Sequence, residues 1–175
     1  KDIMTTRIGI IAKEFDARAA TRLKKLHSLG FKNITHLWII DGYTLNKNFS
    51  KKNLKKIASA LSNPVTQEFI FRTEKTKVKP KKKFSYVLEI GFLPGVTDNI
   101  GNTAKEIIED GLRTKFQETE GVYSSQVTFL EGSISKSDAE KIAFTLHNPL
   151  IQRSHIKSYA EFVKATRHIR DHQVL

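Results

Sequence analysis

One segment of this chain occurs twice. Lys56-Ile57-Ala58-Ser59-Ala60-Leu61-Ser62-Asn63-Pro64-Val65-Thr66-Gln67 returns 85 positions later as Lys141-Ile142-Ala143-Phe144-Thr145-Leu146-His147-Asn148-Pro149-Leu150-Ile151-Gln152, with seven of twelve residues identical. Upstream, Leu37-Trp38-Ile39-Ile40-Asp41-Gly42 aligns with Val127-Thr128-Phe129-Leu130-Glu131-Gly132, and the first copy carries five extra residues before its helix. A period this long exceeds any solenoid unit, so it marks two copies of one small domain. Modules of roughly 75 to 80 residues bury only about 60% of their unfolded surface, so each gains from packing on the other.

Composition narrows the chemistry. The 175 residues contain no cysteine, which excludes disulfides, thiolate metal sites and cysteine nucleophiles. No apolar run approaches membrane-spanning length. Lys1-Asp2-Ile3-Met4 at the start and Gln173-Val174-Leu175 at the close fit a portion of a longer chain, and fit tags or processing equally well. The net charge of +12 raises nucleic acid as a partner. Much of that charge falls between the copies, in Arg72, Lys75, Lys77, Lys79, Lys81, Lys82 and Lys83, with no aromatic before Phe84. Self-repulsion extends such a stretch, and it lacks the rings that stack on bases, so we read it as a linker.

Hydrophobic spacing predicts the same elements in each copy. In the first, Arg7 to Ala12 form a strand, Asp16 caps a helix burying Ala19, Ala20, Leu23 and Leu26, and Ile34 to Asp41 form a second strand. Ser50 then caps a helix with Leu54, Ile57, Ala58 and Leu61 inward, and Val65 to Phe71 close the module. In the second, Tyr86 to Leu93 form a strand that Pro94-Gly95 ends, and Asp98 or Asn99 caps a helix with Ile100, Ala104, Ile107, Ile108 and Leu112 on one stripe. Ser135 with Asp138 forms a capping box, and Pro149 stops that helix. The expected fold is α+β: two tandem β-α-β-α-β modules, each an antiparallel three-stranded sheet with two helices, packed as a pseudo-dimer. Boundaries fall at 5–72, a basic linker at 73–84, 85–158, and a connector at 159–175. Because Trp38 and Ile40 alternate with Leu37 and Ile39, the first sheet is apolar on both faces, and copy packed on copy is expected to cover the second.

The candidate chemistry is sparse. His168 and His172 are four apart, a spacing that lets two imidazoles share a metal, but no third ligand accompanies them. His147 and His155 flank the second Asn-Pro turn, while Ser62 occupies the position of His147 in the first copy. Pro94-Gly95-Val96-Thr97-Asp98-Asn99-Ile100-Gly101 lacks the spacing of a phosphate-binding loop and reads as a turn followed by a cap. Nothing assembles a nucleophile with a base; the prediction is no catalytic residue, no cofactor and no metal in this chain.

The segment Phe92-Leu93-Pro94-Gly95-Val96-Thr97-Asp98-Asn99-Ile100-Gly101, with Leu146-x-Asn148-Pro149-Leu150-Ile151, resembles the PurS-type small subunit of phosphoribosylformylglycinamidine synthase. Phe15-Asp16-Ala17-Arg18, Asp41-Gly42-Tyr43-Thr44-Leu45 and Asn63-Pro64-Val65-Thr66-Gln67-Glu68-Phe69 resemble the leading module of fused forms, in which two small modules precede the synthetase. Ala19 stands where the family has a helix-starting Gly, Asn99 where Pro is frequent, and Gln152-Arg153 where an acidic pair is common. The resemblance implies a non-catalytic, cytoplasmic scaffold in purine biosynthesis. Such a scaffold bridges a glutaminase and an ATP- and Mg-dependent synthetase and supports ammonia transfer between them. Asp16, Arg18, Asn63, Pro64, Pro94, Gly95, Asp98, Gly101, Asn148 and Pro149 are then structural or interface positions. A nucleic-acid-binding protein using the linker with Lys51, Lys52, Lys55 and Lys56 is the alternative.

Overall fold

A computed structural model describes residues 5–73 and 82–165. The elements run β1 (Thr6–Ala12), α1 (Ala17–Ser28), β2 (Ile34–Asn46), α2 (Lys51–Leu61), β3 (Gln67–Thr73), β4 (Tyr86–Phe92), α3 (Asn99–Leu112), β5 (Gly121–Gly132), α4 (Lys136–Leu146), β6 (Gln152–Ser158) and α5 (Tyr159–Ala165). The class is α+β, as expected, and each copy contributes strand-helix-strand-helix-strand. The expected pair of three-stranded sheets is corrected: the strands form one six-stranded antiparallel sheet of order β3-β1-β2-β5-β4-β6. The cause is the length of β2 and β5. Tyr43 and Leu45 continue the alternation past Gly42, so β2 runs beyond the predicted Ile34 to Asp41, and β5 is nearly as long, starting at Gly121. The linker residues 74–81 and the connector residues 166–175, with Arg167, His168, Arg170 and His172, lie outside the described residues.

Two compact units emerge, and each draws on both copies. The first holds, of the described residues, 5–14, 41–73 and 97–125. Its core joins Ile8 and Ile10 of β1, Leu45 of β2, Ile57 and Ala58 of α2, Ala104 and Ile108 of α3, and Val122 of β5. Antiparallel pairing sets Ile8 opposite Phe71 and Ile10 opposite Phe69, so both strands turn the same alternate residues toward α2 and α3. Each Ile or Leu buried there contributes about 1.5 to 3 kcal/mol. On α3 the predicted stripe is too wide: Ala104 and Ile108 are buried, whereas Ile100 is 57% and Ile107 39% exposed.

The second unit holds 15–40, 82–96 and 126–165. Leu26 of α1 packs here with Ile34 of β2, Leu88 of β4, Leu130 of β5, and Ala139, Ile142 and Ala143 of α4. The first helix of each copy therefore packs beside the second helix of the other copy, not beside its own. Ala20 was expected inside and is exposed, because Ala19, Leu23 and Leu26 already define the inward stripe of α1. Arg22 of α1 donates to Thr128 Oγ1 (2.7 Å) and Gln126 Oε1 (2.5 Å), which satisfies the fully buried Thr128 hydroxyl.

Neighbouring residues of a strand face opposite ways, so Val87 lies on the sheet face away from Leu88. That second face carries Val87, Val127, Phe129, Trp38 and Ile40, and Phe84 and Phe162 complete a separate cluster with Tyr159. Trp38 stacks on Phe129 at 5.1 Å, and Phe84 meets the Phe129 and Phe162 rings edge-on at 5.0 and 5.4 Å. The cover expected from copy on copy is here supplied by α5 and by Phe84, two residues before β4. The faces also revise the strand alignment. Leu37 belongs with the helix-side core and Val127 with the opposite cluster, so the sequence pairing of the two is one residue out of step.

Candidate functional site

The repeated motif explains itself in hydrogen bonds. After α2, the Asn63 side chain accepts from Val65 N–H (2.9 Å), and Asn63 N–H donates to Gln67 Oε1 (2.8 Å). The Asn63 carbonyl accepts from the N–H groups of Thr66 (3.2 Å) and Gln67 (2.7 Å). After α4, Asn148 makes the same set: its side chain accepts from Leu150 N–H (3.0 Å) and its N–H donates to Gln152 Oε1 (2.9 Å). Its carbonyl accepts from Ile151 and Gln152 at 3.1 and 2.8 Å. Pro64 and Pro149 end the helices, and Gln67 and Gln152 lock the turn into the next strand. These four bonds account for why Asn and Gln are identical in the two copies.

The residue before each Asn has a common task. Ser62 Oγ donates to the Ala58 carbonyl at 2.7 Å, and His147 Nδ1 reaches the Ala143 carbonyl at 2.5 Å. A carbonyl only accepts, so Nδ1 carries the proton. His147 is thus a helix-end donor equivalent to Ser62. His27 works similarly, its Nε2 lying 2.7 Å from the Ile34 carbonyl.

The capping residues behave as fold determinants. Asp16 accepts from the N–H groups of Arg18 (2.9 Å) and Ala19 (3.4 Å), and Arg18 returns an ion pair at 3.4 Å. Asp98, rather than Asn99, caps α3: its Oδ1 accepts from Gly101 N–H (2.8 Å) and Ser124 Oγ (2.6 Å), and its Oδ2 from Ser124 N–H (2.6 Å). One carboxylate thereby ties the start of α3 to β5. A Cβ on Gly101 would lie 2.6 Å from the Val122 carbonyl oxygen, so only glycine permits this approach. Pro94-Gly95 forms a tight turn in which Val96 N–H donates to the Leu93 carbonyl (3.1 Å) and Gly95 takes φ +81. With Pro before a left-handed Gly, this is a type II arrangement. Leu93 N–H also donates to the Ile151 carbonyl (2.9 Å), just as Lys13 N–H does to Thr66 (2.9 Å) in the other copy.

The ten sequence-derived residues do not converge. Asn63, Pro64, Asp98 and Gly101 belong to the first unit, and Asp16, Arg18, Pro94, Gly95, Asn148 and Pro149 to the second. Sequence reasoning missed Ser124, whose partnership with Asp98 spans 26 residues and leaves no local signal. The tasks of Gln67 and Gln152 were findable, since both recur four residues after Asn.

Elsewhere, charges brace loops. Lys115 hydrogen-bonds Glu109 at 2.8 Å and holds its carboxyl below the ordinary 4.5, with Lys105 adding to the effect and burial opposing it. The Gln117 N–H and then Lys47 (3.0 Å) lower Glu120 likewise. In the second unit, His36, Trp38, Lys82, Lys83 and Glu131 line an open depression of about 370 Å³. His36 lies 3.5 Å from Glu131, but no hydroxyl or thiol nucleophile lines the space. Among the described residues, no group of three or more His, Asp or Glu side chains is placed to hold a metal ion. Nor is any described helix long and apolar enough to cross a membrane. The chain matches no protein-family model, and no curated protein matches it.

Proposed function

We propose that this chain is a tandem PurS-like scaffold of a glutamine-dependent phosphoribosylformylglycinamidine synthase. It bridges the glutaminase and the ATP- and Mg-dependent synthetase in the cytoplasm, supports ammonia transfer, and contributes architecture without reactive groups. The observation that carries the reading is the doubled Asn-Pro-x-x-Gln corner. The residues that resemble the small subunit are the same ones that cap helices and lock turns at corresponding points of both copies. In this reading the two copies act as a covalently joined pair, and tethering keeps their effective concentration high without an encounter step. The test is co-purification of the full chain with the cognate glutaminase and synthetase in the presence of ADP and glutamine. A stoichiometric complex is expected; no association under these conditions refutes the proposal. The charge of +12 and the exposed Lys51, Lys52, Lys55 and Lys56 on α2 favour the second reading, a nucleic-acid binder. Tight RNA or DNA binding that weakens steeply with salt would establish it instead.

A further inference from the structure

The depression in the second unit is built on the sheet. His36 and Trp38 alternate along β2, and Phe129 and Glu131 along β5, so all four side chains leave the same sheet face. Trp38 stacks on Phe129 at 5.1 Å, and two residues away on each strand His36 lies 3.5 Å from Glu131. Phe84 meets the indole edge-on at 6.4 Å and is 5% exposed, which fixes the chain at that point. Ser85 continues the attachment: its N–H donates to the Leu130 carbonyl (2.7 Å) and its Oγ to the Gly132 carbonyl (2.5 Å). Lys82 and Lys83 come immediately before this anchor, which holds them at the rim with Glu131.

The lining combines two chemistries. Among the described residues, neither Lys82 nor Lys83 makes an ion pair or hydrogen bond, and the indole N–H of Trp38 donates to none. Glu131 is matched by His36, so the rim carries two exposed, unmatched positive charges beside a half-buried aromatic wall. Paired ammonium groups are point charges suited to phosphate. The indole is held on one face by Phe129 and at an angle by Phe84, so a flat ring can stack on its remaining surface without first ordering it. A bare anion would leave the indole unused, and an uncharged ring would leave both lysines unmatched. The volume of about 370 Å³ falls within the range of small-molecule sites, about 300 to 1,000 Å³. A flat heteroaromatic base that carries a phosphate satisfies both walls at once.

We propose that this depression is a mononucleotide-binding site, with the base against Trp38 and the phosphate between Lys82 and Lys83. All of its residues belong to one unit, and the role is binding without chemistry. This proposal stands apart from the bridging role: it is tested on the chain alone, and its failure leaves the co-purification test untouched.

Trp38 is the sole tryptophan, so its emission reports on the site directly. Titration of the full chain with AMP at fixed ionic strength should change that emission saturably. Ribose phosphate, which lacks the base, and adenosine, which lacks the phosphate, should each bind about tenfold or more weakly. Lys82→Glu with Lys83→Glu should raise the dissociation constant for AMP about tenfold or more, and both side chains are exposed, so the variant should fold as the parent does. Lys51→Glu with Lys52→Glu makes the same change of charge on α2, in the other unit, and should leave AMP binding unaltered. That control separates a site from general attraction to a basic surface. Oligoadenylate, whose internal phosphates are diesters, should bind no more tightly than AMP. The proposal is overturned by no saturable change at millimolar AMP, by undiminished affinity in the Lys82→Glu, Lys83→Glu variant, or by a clear preference for the oligomer.

Discussion

Two glycines in one helix make opposite predictions. Gly101 and Gly111 both lie within α3, and on intrinsic propensity alone either change to alanine should stabilise by about 0.5 to 1 kcal/mol. Around Gly111 a Cβ meets nothing within 4 Å, so Gly111→Ala should realise that gain. At Gly101 the Cβ would sit 2.6 Å from the Val122 carbonyl oxygen and 2.7 Å from Asp98 Oδ2. Both contacts are far too short, and the first atom is backbone of a central strand, so α3 must retreat from β5. Retreat stretches the bonds from Asp98 to Ser124 N–H and Oγ, both 2.6 Å. Hydrogen bonds to a charged group contribute about 1.5 to 3 kcal/mol each. Losing one and straining the other outweighs the propensity gain, for a net destabilisation of about 2 to 4 kcal/mol. Urea unfolding of the two variants and the parent, followed by circular dichroism, measures both signs. If Gly101→Ala proves as stable as the parent, or Gly111→Ala loses about 1 kcal/mol or more, the packing argument for α3 fails.

Phe162→Ala should destabilise by about 3 to 5 kcal/mol, because the 4%-exposed ring fills the cluster over Trp38, Phe84 and Phe129. Quenching or a red shift of emission from Trp38, the sole tryptophan, would report opening of that cluster. Gln67→Ala and Gln152→Ala should cost similar amounts, about 0.5 to 1.5 kcal/mol each, since each removes one bond to an Asn N–H; a large cost for only one would mean that the corners are not equivalent. The carboxyls of Glu109 and Glu120 are lowered in the folded state, so their contribution is present above the ordinary 4.5 and is lost as pH falls through their depressed values. Acid titration of stability should therefore become shallower below 4.5 in Glu120→Gln. Lys115 is raised, so its contribution is complete below 10.5 and disappears as pH rises through its elevated value; Lys115→Met should flatten that alkaline limb.

Local signals in the chain determined most of its elements. Asp16, Ser50 and Ser135 start helices because their side chains accept from nearby N–H groups, and Asn-Pro ends two of them through bonds within five residues. Such interactions are written in neighbouring letters, which is why the duplication was legible and the α+β class followed. What only the tertiary structure decided was the exchange of α1 and α3, the continuation of β2 and β5 through both units, and the burial of Phe162 over Trp38. The ten motif residues, similarly, were visible individually, but their division between units was not. An apolar stripe states that a helix must be covered, and the stripes of α1 and α4 fit one core as readily as those of α1 and α2 would. Hydrophobic burial has no direction, so partner choice falls to long-range features such as strand length and the Asp98–Ser124 tie, which residue spacing does not encode.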